Sequence, residues 1–176
     1  MKQELLKIMK ERRSVRSYKK DLMIPEDVLQ EILETATYAP TGGGRQSPVI
    51  IAVTDKTMRD HIAHLNAKIM GDENADPFYG APVILVVLAN KAIPTHVYDG
   101  SLVMGNLMNA AESLGVANIW IHRAKEEFES DFGKNIFADL GIEGEYEGIG
   151  HCALGYAVEP AKKAAPRKED YVYYIR

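Results

Sequence analysis

Residues Ala81 to Ala89 form an unbroken apolar run, and no other stretch constrains the fold as strongly. The run is far too short to span a bilayer, which needs about 20 apolar residues. From Pro82 onward it is rich in Val, Ile and Leu, the pattern of a buried strand. Such a strand must be covered by other elements, and the rest of the chain supplies them. Pro48 to Thr54, Val116 to His122 and Ile149 to Ala157 read as three further strands. Between them lie segments of helical spacing. Leu5, Ile8 and Met9 mark a helix over residues 3–11. Pro25-Glu26-Asp27 opens a second, with its acids at the positive end of the helix dipole, and Pro40 stops it. Met58, Ile62, Leu65 and Ile69 mark a third over 56–70, and one or two short helices fit 125–139. Asp99 is placed to cap a long helix ending at Leu114 and Gly115. Strands interleaved with helices give a layered α/β or α+β fold.

The long helix is apolar nearly all round, through Leu102, Val103, Met104, Leu107, Met108, Ala110, Ala111 and Leu114. A central core helix and a helix between subunits both fit that pattern. Tyr171-Val172-Tyr173-Tyr174-Ile175 reads as a terminal strand, which needs a sheet edge to join, in its own subunit or another. The 176 residues are enough for one domain spanning 1–176, and 46% apolar content is enough for a core. A net charge of -4 argues against a nucleic-acid binder working through overall charge. Cys152 is the only cysteine, so there is no intrachain disulfide and no paired-cysteine zinc site. No apolar secretory leader is visible. These features together give the expectation of a soluble cytoplasmic protein, with no membrane partner.

Against that acidic background, Arg12-Arg13-Ser14-Val15-Arg16-Ser17-Tyr18 is a local basic cluster. In an extended backbone Arg12, Ser14 and Arg16 share one face. Two guanidinium forks and a hydroxyl on one surface suit a phosphate dianion. A solvated basic turn fits the same spacing. Thr41-Gly42-Gly43-Gly44-Arg45-Gln46 is the second notable segment. It lacks the ending of a P-loop and precedes a strand, so neither a P-loop nor a dinucleotide fingerprint fits. A flexible turn and a close backbone approach to a ligand both remain.

Protein-borne reaction chemistry is hard to find. His61 and His64 lie three apart on one helix with no further ligand nearby, a surface pair. His151 and Cys152 are neighbours on a strand and face opposite sides, which disfavours a nucleophile pair and makes His151 a hydrogen-bonded sheet histidine. Glu31 and Glu34 sit on a polar helix face, and no Gly-x-Ser-x-Gly elbow occurs. An enzyme built this way needs a cofactor for the difficult chemistry, with no catalytic side chain and no metal.

The order of these pieces resembles the nitroreductase family of flavin enzymes over nearly the whole chain. Arg12 to Tyr18 looks like its N-terminal flavin-phosphate motif, and Ala39 to Pro48 like the segment before its first core strand. Asn109 to Gly115 followed by Trp120-Ile121 looks like its central helix and next strand. Leu154-Gly155-Tyr156, then Pro166-Arg167-Lys168, looks like its C-terminal signature.

The resemblance implies an α+β fold with a central, mostly antiparallel sheet flanked by helices. It implies a homodimer with FMN at the interface and a C-terminal strand extending onto the partner subunit. Arg12, Arg13, Ser14 and Arg16 would hold the phosphate, ribityl chain and pyrimidine edge. Arg167 with Lys168 would complete the phosphate site. Pro40, Thr41, Gly42, Gly43 and Gly44, with Gln46, would approach from the other subunit. The backbone of Ile121, His122 and Arg123 would lie near the reactive edge. The implied activity is ping-pong hydride transfer from NAD(P)H through the flavin to a nitroaromatic, quinone or similar small acceptor, with Arg12 stabilising the anionic reduced ring. A non-catalytic flavin sensor or carrier, a dehalogenase-like relative, and a nucleotide module without flavin are the alternatives.

Two departures stand out. No asparagine occurs near Gly44, where the family carries one against the ring. His122-Arg123 follow Trp120-Ile121 where the family carries glycine. Those two would crowd the flavin edge, bind an acidic substrate or the nicotinamide phosphate, or face solvent. The chain is also short, which implies a deletion between the second and third strands and a more open site.

Overall fold

A computed structural model describes residues 2–176. The chain runs α1 (Lys2–Glu11), α2 (Glu26–Thr37), β1 (Pro48–Val53), α3 (Lys56–Met70), β2 (Val83–Asn90), α4 (His96–Ser113), β3 (Ala117–Ile121), α5 (Ala124–Glu129), α6 (Asp131–Leu140) and β4 (Tyr146–Gly155). The four strands form one antiparallel sheet in the order β1-β2-β4-β3. This is the expected α+β arrangement, with helices on both faces.

The apolar run of β2 is explained by its central place. Val83, Leu85 and Val87 pack on one side with α2 and α4, among Leu29, Ile32, Met104 and Leu107. Ile84, Val86 and Leu88 pack on the other, among Ile62, Phe78 and Phe128. Neither face of β2 meets water, so alternation has nothing to select for. β1, whose apolar sequence from Pro48 to Thr54 reads as a buried strand, is more exposed than that. It is an edge strand, half-buried along most of its length rather than enclosed.

α3 begins where Asp55 accepts a hydrogen bond from the Met58 amide at 2.8 Å, and it ends on Gly71 at φ +85°. α2 ends at Thr37, before Pro40 is reached. α4 starts at His96, so Asp99 lies inside its first turn instead of capping it. One side of α4 is buried through Val103, Met104, Leu107 and Ala111, whereas Tyr98 and Leu102 are exposed within the single chain. β4 carries a bulge opposite Val87 and Leu88, which turns Ile149 against Gly100 of α4. The connection from β2 to α4 is only residues 91–95, so no helical excursion stands there.

The C-terminal strand read from Tyr171 to Ile175 does not form within this chain. Glu169–Tyr171 is a single 3-10 turn, and Tyr171 to Ile175 pair with no strand and are exposed. No helix among the described residues is long and apolar enough to cross a membrane.

Gly148 shows how closely α5 lies on β4. A Cβ there would meet the Ala124 carbonyl group at 2.2 Å, and backbone cannot yield as a side-chain tip can. Gly148→Ala should therefore destabilise the fold by about 1–3 kcal/mol. Chemical denaturation checks this, and an unchanged midpoint would contradict the packing.

Candidate functional site

The arginine segment runs along the outer edge of the sheet. The Val15 amide donates to the Asn118 carbonyl of β3 at 3.1 Å, with Ser14 bridged to Asn118 and Tyr18 bridged to Ala157. Val15 and Tyr18 turn inward and are buried, and the Tyr18 hydroxyl donates to the Ala153 carbonyl at 3.3 Å. Burial raises the Tyr18 phenol far above its ordinary range. Ser14 and Arg16, on either side of Val15, are thereby turned outward as alternation requires, with Arg12 half-exposed, whereas Tyr18 departs from strict alternation and turns inward at its own bridge.

Facing them is the tail from Glu159 to Arg167, tied in by the Val158 amide donating to the Ser17 carbonyl at 3.1 Å. Between the two lies a groove of about 620 Å³. Four arginines and two lysines line it against one acid, Glu159. Arg12, Arg13, Ser14, Arg16 and Arg167 of the expected set meet here. Lys168 does not line the groove; it lies 3.8 Å from Asp170 and over the Tyr171 ring. Lys162 and Lys163 line it without having been singled out, although both sit in the basic tail that the sequence displays.

The cations are not equivalent. Arg13 donates from Nη2 to the Lys10 carbonyl at 2.7 Å and from Nη1 to the Arg12 carbonyl, so its fork closes the end of α1. Arg12 Nη1 donates to Asn118 Oδ1 at 3.3 Å. Asn118 is buried, and its Nδ2 donates to the carbonyls of Met108 and Val116. Arg16 and Ser14 are exposed and make no side-chain hydrogen bond to another described residue. No sequence signal marked Asn118. Glu112, near Arg12 and Arg13, is raised above the ordinary carboxylate range chiefly by burial.

The Thr41 to Gln46 turn is built elsewhere. Gly43 and Gly44 take φ of +62° and +67°, which favour glycine. A Cβ on Gly42 would lie 2.2 Å from Thr95 Oγ1. Asp99 binds the turn to α4: it accepts from the Gly42 amide at 2.9 Å, the Ser47 hydroxyl at 2.7 Å and the Thr95 hydroxyl at 3.1 Å. Burial alone would raise the Asp99 carboxyl, but these three donors outweigh it and hold it below the usual range. The turn sits at the start of α4 and Arg12 at its far end, so Pro40 to Gly44 and Gln46 do not join the groove within one chain.

β3 links the groove to the third expected piece. Asn118, Trp120 and His122 alternate along it, and the rings of Trp120 and His122 lie 6.0 Å apart. His122 is exposed, and Ile121 is buried on the opposite face. Arg123 follows at φ +77°, its Nε donating to Asn66 Oδ1 at 2.8 Å.

Behind this turn, His151 Nε2 donates to Glu127 Oε2 at 2.8 Å, and both side chains are fully buried. His151 is thus a hydrogen-bonded sheet histidine at Nε2, while its Nδ1 has no partner among the described residues. Cys152 packs in the opposite layer, as expected, and burial pushes its thiol up to about 12. His61 and His64 are exposed, with His61 stacked on Phe132 at 4.9 Å.

The Nitroreductase family model matches residues 9–156. The fold superposes on a nitroreductase with bound FMN from Bacteroides fragilis with a TM-score of 0.88 and 26% identity, covering 98% of this chain and 99% of that one. A second nitroreductase with bound FMN, from Desulfitobacterium hafniense, gives 0.85 and 28%, covering 98% of each. A Methanothermobacter thermautotrophicus protein named "Putative NADH dehydrogenase/NAD(P)H nitroreductase" is 28% identical over 128 residues, which is 68% of this chain and 61% of that protein's own length.

Asp99→Asn should weaken the fold by about 1.5–3 kcal/mol at neutral pH, through loss of charge-assisted bonds. Because the folded carboxyl lies below its unfolded value, its contribution is present above about pH 4 and lost as pH falls through the folded value. The difference between wild type and variant should therefore shrink in acid. Denaturation at pH 7 and pH 3 checks this, and a pH-independent difference would contradict it.

Proposed function

The chain belongs to the nitroreductase family, and from that premise we propose that it is an FMN-dependent NAD(P)H oxidoreductase acting on a nitroaromatic, quinone or similar small acceptor. The observation that carries the reading is the convergence of Arg12, Ser14, Arg16 and Arg167 on one groove, with Arg16 and Ser14 free to donate. The donor set suits an anion of phosphate chemistry, since exposed forks and a hydroxyl present several N–H and O–H groups to one centre. Solved relatives with bound FMN support the choice of that anion.

In this reading Arg16, Ser14 and Arg167 hold the phosphate, and Lys168, which lies outside the groove beside Asp170, does not. Arg12, steadied by Asn118, stands toward the pyrimidine edge, where a fixed positive charge favours an electron-rich ring. Arg13 contributes through its backbone and stem, because its fork is engaged at the end of α1. The backbone from Ile121 to Arg123 borders the reactive edge. FMN, when bound, supplies the centre that accepts and returns a hydride, so no side chain of the protein acts as a nucleophile.

The functional unit is proposed as a cytoplasmic homodimer of single FMN-binding domains over residues 1–176. Three features support two chains. The Thr41 to Gln46 turn lies away from the groove of its own chain, α4 leaves Tyr98 and Leu102 exposed, and Tyr171 to Ile175 have no strand partner. The edge of β3 is occupied by Ser14, so the edge of β1 is the one open to a partner's terminal strand.

The purified protein should take up FMN and lose its yellow colour on adding NADH or NADPH without air. A protein that refuses FMN would overturn the reading, and bound flavin that neither coenzyme bleaches would favour a carrier. Arg16→Ala should weaken FMN binding by about 1.5–3 kcal/mol, roughly 10- to 150-fold in Kd. Fluorescence titration measures this, and an unchanged Kd would remove Arg16 from the site.

A further inference from the structure

The turn after β3 is built with more polar machinery than a strand end requires. Arg123 adopts φ +77°, a backbone that arginine disfavours. Its Nε donates to Asn66 Oδ1 at 2.8 Å. Asn66 Nδ2 donates to the His122 carbonyl at 3.0 Å and also to Glu127 Oε1. Glu127 in turn accepts from His151 at 2.8 Å. Asn66, Glu127 and His151 are completely buried, and they come from α3, α5 and β4. Burying a carboxylate and an imidazole is costly, and an apolar core would be at least as stable. The network's outward end is Arg123 and the peptide it shares with His122.

Arg59 shows what this fold does with an arginine used for structure. Its Nη2 lies 2.9 and 2.7 Å from the two carboxylate oxygens of Asp76, and its Nε donates to the Ala81 carbonyl. Arg123 shares the Nε contact to a neutral amide oxygen but differs at its terminal nitrogens. It stops at a neutral amide and forms no ion pair among the described residues. Its terminal guanidinium nitrogens donate to no described residue and are not fully buried. The result is a guanidinium with no direct ion-pair partner among the described residues, pinned at Nε, with the Nη1/Nη2 edge free. A fork held in this way loses little freedom on binding and matches two oxygens of one anion. The exposed imidazole of His122 stands next to it.

We propose that Arg123, with His122 beside it, recognises the anionic group of a substrate, and that Asn66 is the positioning residue that holds the fork. The group is a carboxylate on the electron acceptor or the 2′-phosphate of NADPH. This inference rests on the function proposed above, because it needs the β3 end to border the flavin.

The test uses the FMN-loaded wild type, Arg123→Met, Arg123→Lys and Asn66→Leu. Two substrate pairs are compared, 4-nitrobenzoate with 4-nitrobenzamide and NADPH with NADH. Binding of benzoate against benzamide, read from the flavin difference spectrum, gives a signal independent of turnover. Wild type should favour the anion in at least one pair. Arg123→Met should reduce that preference tenfold or more, Arg123→Lys should keep part of it, and Asn66→Leu should follow Arg123→Met. A loss confined to 4-nitrobenzoate and benzoate assigns the acceptor's carboxylate; a loss confined to NADPH assigns the coenzyme's phosphate. If Arg123→Met takes up FMN and keeps the wild-type preference in both pairs, the proposal is overturned. If Asn66→Leu folds and behaves as wild type while Arg123→Met does not, the positioning role is overturned. If Asn66→Leu does not fold, Arg123→Met decides alone. A wild type that binds no FMN overturns the proposed function and this inference together, and FMN titration separates that failure from the others.

Discussion

The Val15 amide donates to the Asn118 carbonyl at 3.1 Å, and this contact sets which side chains of residues 12–18 meet water. With Val15 against β3 and Tyr18 bridged to Ala157, the apolar members of the segment face the core and the arginines face out. A slip of one residue that put Arg16 in the place of Val15 would bury a guanidinium and expose Val15. The cost of burying unpaired charge makes that alternative untenable. Asn118 then adds a second hold from its side chain, on Arg12 at one end and on the carbonyls of Met108 and Val116 at the other. One buried amide thereby joins the end of α4, the start of β3 and the basic edge.

The fold was legible where local pattern and tertiary role agree. α3 follows from its apolar spacing, and β2 follows from its unbroken apolar run, because burial on both faces leaves no alternation to find. It was less legible where one pattern serves two structures. Asp99 opens an apolar segment and so has the look of a helix cap. In fact it sits inside the first turn and binds Gly42, Ser47 and Thr95, and Gly42 lies 57 residues away from it. Tyr171 to Ile175 have the composition of a strand, yet a strand exists only when paired on an edge, and within the single chain they pair with none.

The site was legible only in part, for the same physical reason. Arg12, Ser14 and Arg16 are close in sequence and share a face by simple alternation, so their convergence could be read directly. Asn66, Glu127 and His151 belong to three elements, and each has a commonplace local account: a helix amide, a helix acid, a sheet histidine. Their meaning lies in the hydrogen bonds between them, at sequence separations of 61 and 24 residues, which no local pattern encodes.

The arginines carry this point furthest. Sequence gives each the same charge, but the structure divides them by what their forks already hold. Arg59 is spent on Asp76 and Arg13 on the end of α1, so both are structural despite lying beside cavities. Arg16 is free and exposed in the groove, and Arg123 is pinned on one edge and free on the other. Net charge near the groove is therefore a poor guide to ligand binding. A fork contributes to recognition only to the extent that its donors remain unspent and its position is already fixed, because a spent donor has nothing to give and a loose one must first be ordered. Arg16 meets the first condition. Arg123 meets both, and the buried chain from His151 through Glu127 and Asn66 is the reason it does.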